Sequence, residues 1–259
     1  VERAPWAAIT VAAIAVVCFA LPLAGLVWRA PWHSAWDELR SRDALDALRL
    51  SLVTSLGATA VAIALGVPLA WVQARVAYRG KSLVRALTTL PMVLPPVVGG
   101  VALLLAFGRR GIANAPLDAV GVHLPFTTAG AIAAEAFVAM PFLVLTMEAA
   151  FRGGDRRVEE AARTLGAGRW YVFRRVTLPL VRPSLVAGAL LCWARALGEF
   201  GATITFAGNL PGSTQTLPLF VYLKLEGSRA DAAIVLSLVL VAVSLLVIVA
   251  LRDRWLATS

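Results

Sequence analysis

Six stretches of this chain are apolar for long enough to cross a lipid bilayer, and no other feature limits its possible folds so tightly. A helix rising 1.5 Å per residue needs about 20 apolar residues to span a hydrocarbon core of about 30 Å. The stretches run from Trp6 to Trp28, Leu50 to Val76, Leu83 to Phe107, Thr127 to Phe151, Val181 to Phe206 and Ala230 to Leu251. Of the 259 residues, 59% are hydrophobic and 15% charged, whereas soluble domains carry about 25% charged residues. That composition excludes an ordinary soluble domain, a disordered chain and a nucleic-acid-binding chain, and predicts an all-α integral membrane bundle in contact with lipid. The first stretch is bracketed by Trp6 and Trp28, rings that settle at headgroup depth. It exceeds the apolar region of about 7–15 residues in a signal peptide, so a retained helix is expected. Pro22, Pro68, Pro95, Pro96 and Pro141 fall inside spans, which implies bends in a packed bundle where neighbours satisfy the freed carbonyls.

The formal charge of +9 reads first as a signal of orientation across the bilayer. Arg3, Arg75, Arg79, Lys81, Arg85, Arg152, Arg156, Arg157, Arg163, Arg169, Arg174, Arg175, Arg252 and Arg254 fall on one side. Arg29, Arg40, Arg42, Arg49, Arg109, Arg110, Lys224 and Arg229 fall on the other. The richer side is expected to be cytoplasmic, with both termini there. Ala35 to Leu48 mixes leucines with Asp37, Glu38, Arg40, Arg42, Asp43 and Asp46, a pattern that suits a short helix on the outer surface. No linker or fixed-period repeat divides the chain, so residues 1–259 are read as one transmembrane domain. Cys18 and Cys192 lie in apolar runs and read as small packing residues. His33 and His123 sit apart from any Cys or Glu at metal-ligand spacing, so they read as surface residues and no metal site is expected.

The least membrane-like segment follows the fourth span, within a loop covering residues 152–179. Asp155 can cap a short helix, Glu159 and Glu160 lie near the positive end of its dipole, and Gly166 can take the left-handed conformation that ends it. Val158, Ala161, Ala162 and Leu165 fall at i, i+3, i+4 and i+7, one shallow apolar stripe opposite the arginines. A helix of about ten residues is marginal alone, so the stripe is expected to press on a partner.

Here the residues resemble a known family. Permease subunits of ABC importers carry a cytoplasmic loop of pattern EAAxxxGx(9)IxLP, and Glu160, Ala161, Ala162, Gly166, Val176, Leu178 and Pro179 stand in register with it, Val176 replacing Ile. The resemblance implies the six-helix bundle of type I, MetI-like importer permeases, in a bacterial or archaeal cell membrane. It implies that Glu159, Glu160, Ala161, Ala162, Leu165 and Gly166 dock on a separate ATPase subunit, present in two copies, against a permease homodimer. ATP and Mg would be bound by that ATPase, with no cofactor and no catalysis in this chain. Gly80, Lys81 and Ser82 resemble the end of a Walker A loop, but Arg75 stands where its first Gly belongs and no strand precedes it, so a turn is expected.

The fifth span carries Arg195, Ala196, Leu197, Gly198, Glu199, Phe200, Gly201, Ala202 and Thr203. Ionisable groups at membrane depth cost a few kcal/mol or more unless they meet water or a partner. Arg195 and Glu199, one turn apart, can pair within the bundle. A second reading sets Glu199 and Thr203 beside a substrate path, with Ala194, Gly198 and Ala202 as a strip of close helix approach. A carboxylate repels an anion, so Glu199 would then be a gate or helix lock. The run from Arg195 to Pro218, which closes on Thr214, Gln215, Thr216, Leu217 and Pro218, resembles the molybdate branch of the family, as does the third span from Leu90 to Gly111. The resemblance implies molybdate import with an extracytoplasmic binding protein, periplasmic or a lipoprotein, and a passage where Pro95, Pro96, Gly99 and Gly100 meet the fifth span. Sulfate or thiosulfate import is the alternative within the family. A secondary transporter or channel is the alternative outside it, and the broken helix offered by Pro95 and Pro96 has no evident counterpart elsewhere in the sequence.

Overall fold

In lipid every backbone N–H and C=O must find its partner inside the chain, and the computed structural model, described for residues 5–255, meets that demand with helices. The first is α1 (Trp6–Trp28), followed by the short α2 (Ala35–Arg40) and the long α3 (Arg42–Arg75). Next come α4 (Lys81–Thr89), α5 (Pro96–Phe107), α6 (Asn114–Ala119) and α7 (Thr128–Gly153). The loop region holds α8 (Arg156–Thr164), α9 (Arg169–Val172) and α10 (Leu178–Leu180), and α11 (Arg182–Leu197), α12 (Gly201–Phe206), α13 (Leu217–Glu226) and α14 (Ala230–Trp255) complete the chain. Arg3 of the charge argument lies outside the described residues, as do residues 1–4 and 256–259 of the single domain.

Four of the six predicted spans are continuous helices, and two are bent pairs. The third turns through 119° between Lys81–Met92 and Pro96–Phe107. Pro95 and Pro96 supply no N–H, and Pro95 is extended at φ −54°, ψ 131°, so the helix must restart. The fifth turns through 70° ahead of Arg182, then stops at Leu197 and resumes at Gly201. A second broken helix therefore exists where the sequence offered only one. The surface helix expected over Ala35 to Leu48 ends at Arg40. Ser41 is extended and accepts a hydrogen bond from the Ala44 N–H, so Asp43 and Asp46 belong to the first turns of α3, which begins eight residues before Leu50.

The core is a three-helix seam. Ala58, Ala62, Val67 and Ala70 of α3 pack on Ala136, Ala139, Leu143, Val144 and Met147 of α7, with Cys192 and Ala196 of α11 closing the third side. Alanines dominate because lipid gives no hydrophobic drive between helices, and close backbone packing must do the work instead. One face of α3 adds three hydrogen bonds. Ser51 accepts from the Leu217 N–H of α13 at 2.6 Å, Thr54 donates to Glu135 of α7 at 2.8 Å, and Ser55 accepts from the Trp193 indole of α11 at 2.9 Å. Positions i, i+3 and i+4 thus fasten α3 to three elements. By contrast α1 buries none of its residues, and Cys18 is exposed there instead of packed. A second cluster joins Leu103 of α5, Ala134 and Val138 of α7, and Ala202 and Phe206 of α12.

Candidate functional site

Local chemistry specifies both ends of α8. The Asp155 carboxylate accepts from the Arg157 N–H at 2.9 Å. At the other end Gly166 is left-handed, φ +86°, its N–H donating to Arg163 O while the Ala167 N–H donates to Ala162 O, the paired bonds of a Schellman stop. At 100° per residue, Val158, Ala161, Ala162 and Leu165 share one side of this helix, and Glu159 and Arg163 the other. The apolar side is open: Val158 is 45% exposed and Leu165 88%. Two hydrophobic side chains face outward on a helix too short to be stable alone.

Glu159 turns the opposite way. Its Oε1 lies 3.0 Å from Arg75 Nη2 at the end of α3 and accepts from the Thr177 hydroxyl at 3.0 Å. Thr177 is buried in a π-type turn, Phe173–Thr177, that carries Val176 of the loop motif and leads into α10. The π-turn shifts the register by one residue, which turns Thr177 toward Glu159. The Arg75 side chain is only 8% exposed and Glu159 13%. Removing one partner of so buried a pair costs about 3–5 kcal/mol, since the other charge is left stranded. Glu160 stays exposed on the same helix. Nearby, Glu148 of α7 pairs with Arg152 at 2.6 Å and with Arg85 of α4, fixing the first half of the third span to the bundle.

Around the fifth span, Arg195 Nη2 meets Glu199 Oε2 at 2.6 Å, and Glu199 Oε1 accepts from the Ala202 N–H at 2.8 Å. Glu199, 1% exposed, lies past the end of α11, so one carboxylate joins the last turn of α11 to the first of α12 across the break. Thr203 is fully buried with its hydroxyl unpartnered. Of the expected strip, Gly198 is exposed and meets only its own helix, whereas Ala202 is buried at a close approach to the third span. A Cβ at Gly201 would come within 2.7 Å of Pro96 Cβ, and one at Gly100 within 2.9 Å of Ala202 O and 2.6 Å of Thr205 Cβ. Gly99 is buried against Phe137, whereas Pro95 and Pro96 are exposed. The restarted halves of the two broken spans thus touch backbone to backbone.

Sequence reasoning missed Arg75, Thr177, Glu148 and Glu135. Glu135 is buried in α7 with one oxygen bound to Thr54 and the other without a partner; its signal was a carboxylate flanked by alanines in the fourth span. In the stretch Thr214, Gln215, Thr216 and Leu217, Thr214 Oγ1 accepts from the Leu210 N–H, Gln215 donates to Asn209 and Leu217 N–H reaches Ser51, while the Thr216 hydroxyl is buried without a partner. Gly80 forms the expected turn, left-handed at φ +84°, ahead of α4.

Residues 62–258 match the family described as binding-protein-dependent transport system inner membrane component. The chain is 45% identical over 239 residues to the molybdenum transport system permease protein ModB of Mycobacterium bovis, covering 92% of this chain and 90% of that one. It is 42% identical to ModB of Escherichia coli over 82% of this chain and 93% of that one. Against the sulfate transport system permease protein CysT of Escherichia coli the identity is 34%, over 88% and 83%. In fold it is similar to a bacterial ABC transporter involved in import of the acidic polysaccharide alginate, TM-score 0.77, 20% identity, 98% of this chain and 96% of that one. It is also similar to the MetNI methionine ABC transporter in an inward-facing conformation, TM-score 0.60, 20% identity, 84% and 95%. With more than half of its length matched, this chain belongs to the family of inner membrane components of binding-protein-dependent transport systems.

Proposed function

We propose that this chain is the permease subunit of an ATP-driven importer of molybdate, working as a homodimer with two ATPase subunits and one extracytoplasmic molybdate-binding protein. ATP and Mg belong to the ATPase. The observation that carries this reading is α8: an apolar stripe open to a partner on one side and a buried ion pair to the spanning bundle on the other. The excess of Lys and Arg on the α8 side supports a cytoplasmic location for that face and for both termini. The substrate follows the relatives, since the molybdenum permeases are the more similar and the sulfate permease the less.

Closure of the ATPase pair displaces α8, and the Arg75–Glu159–Thr177 link carries that displacement to α3 and to the chain entering α11. Moving a two-state bundle from 1:99 to 99:1 takes about 5.5 kcal/mol. Losing one partner of the link costs about 3–5 kcal/mol, a large part of such a shift, so the link is one of several contacts that carry it. At the far end of α11, Glu199 ties α12 to the moving helix, and α12 lies directly on α5. Residues Pro95, Pro96, Gly99, Arg195, Glu199 and Thr203 then border the path where the two broken spans meet, alternately open to either side. Glu199 acts as the lock of this joint, since a carboxylate would repel a dianion.

The test is uptake of labelled molybdate by proteoliposomes holding the permease, its ATPase and its binding protein. ATP-dependent uptake that excess sulfate does not suppress is expected. Suppression by sulfate at equal concentration would reassign the substrate, and uptake without ATP would remove the motor.

A further inference from the structure

Behind α8 lies a cavity of about 780 Å³, bordered on one side by the Arg75–Glu159–Thr177 link and otherwise lined by residues to which the transport mechanism gives no role. Its apolar wall is formed by Pro68, Trp71 and Val72 of α3 together with Trp170 and Phe173. Trp170 stacks on Phe173 with ring centroids 5.7 Å apart, and Trp71 meets Phe173 edge-on at 6.1 Å. Its basic edge is formed by Arg163 of α8 and Arg169 of α9, with Arg75 behind them. Glu159 is engaged by Arg75 and Thr177. Arg163 and Arg169 are exposed and make no ion pair among the described residues, leaving two guanidiniums against the single free carboxylate of Glu160.

The polarity of the cavity runs in one direction. Pro68, Trp71 and Val72 occupy the last two turns of a spanning helix that ends at Arg75, so the apolar wall continues the hydrocarbon layer and the arginines sit where headgroups begin. Tryptophan at this depth and paired basic side chains beyond it match the gradient within a phospholipid, apolar chain first and phosphate after. The volume lies within the range of about 300–1,000 Å³ typical of small-ligand sites, enough for a headgroup and the start of an acyl chain.

We propose that this cavity binds an anionic phospholipid of the cytoplasmic leaflet, with its phosphate between Arg163 and Arg169 and an acyl chain along Pro68, Trp71 and Phe173, wedged between α8 and the bundle. The leaflet rests on the orientation proposed above; the site itself does not.

The experiment places the complete transporter in nanodiscs and compares acyl-brominated phosphatidylglycerol with acyl-brominated phosphatidylcholine as quenchers of tryptophan emission. Stronger quenching by phosphatidylglycerol at equal mole fraction is expected, and the excess should vanish in a Trp71→Phe/Trp170→Phe variant, which lacks the reporters. An arginine facing an anionic headgroup is worth roughly a fivefold preference, so Arg163→Gln/Arg169→Gln should raise the half-quenching fraction of phosphatidylglycerol by about tenfold or more. Both arginines are exposed, so the variant keeps its fold. Equal quenching by the two lipids, or an excess that survives the double variant, overturns the proposal. Loss of the excess on adding inorganic phosphate overturns it too, by assigning the arginines to a soluble ion. Both leaflets of the disc carry the probe, so an inverted chain gives the same quenching and a failure here is distinct from a failure of the orientation.

Discussion

Gly166 shows how one residue can end a helix without touching anything. A Cβ there would meet no atom within 4 Å, yet its φ of +86° is costly for a β-branched residue, about 1–2 kcal/mol. Gly166→Val is therefore expected to disturb the end of α8 and leave the bundle intact. Uptake should fall at least tenfold with unchanged thermal unfolding, and full uptake by a folded variant would count against the role of α8. The buried pair makes a second case. Glu159→Gln and Arg75→Met should each lower the unfolding temperature and uncouple ATP hydrolysis from uptake, each single change costing about 3–5 kcal/mol. The double variant should recover part of that loss, because no charge is stranded. Strictly additive losses would mean that the two side chains do not act as a unit. The ends of α8 were legible in the sequence because Asp155 and Gly166 act on their immediate neighbours. The pairing of Arg75 with Glu159 was not, because it joins residues that only the folded bundle brings together.

At the scale of elements, the spans were legible wherever apolar length alone decides, as in α1, α7 and α14. The reading failed where the backbone must turn inside a span. Pro95 and Pro96 signalled the first break, but Gly198–Phe200 looks locally like more helix, and its break is held by Glu199 reaching across to the Ala202 N–H. Glu199→Gln keeps that hydrogen bond and loses the charge partner of Arg195. It should leave assembly intact and change basal ATP hydrolysis by about threefold to tenfold, the ratio for a joint shifted by roughly 1 kcal/mol; an unchanged rate and unchanged uptake would reduce Glu199 to packing. The polar face of α3 makes a structural counterpart. Ser51→Ala and Ser55→Ala each remove one bond to a different element at about 1 kcal/mol, and Thr54→Val costs more because it leaves the buried Glu135 carboxyl without a hydrogen bond. Each loss should appear in unfolding measurements, and a triple variant as stable as the parent would show that small-residue packing alone holds α3.

At the scale of the whole molecule, two surfaces are left unfinished. One is α1, with none of its residues buried, which suits lipid or a second copy. The other is the outward stripe of α8, where Val158 and Leu165 stand exposed. That stripe was read correctly from i, i+3, i+4, i+7 spacing, while its partner came only through resemblance, since periodicity reveals that a face must be covered and not by what. The central claim is that the ATPase covers it. Leu165→Cys, in a chain whose own cysteines are Cys18 and Cys192 and both replaced by Ser, reports this directly through its rate of maleimide labelling. Adding the ATPase subunit should slow labelling at this position by at least tenfold while a control cysteine in place of Ser213 labels as before; an unchanged rate at Leu165→Cys in the assembled complex would contradict the account.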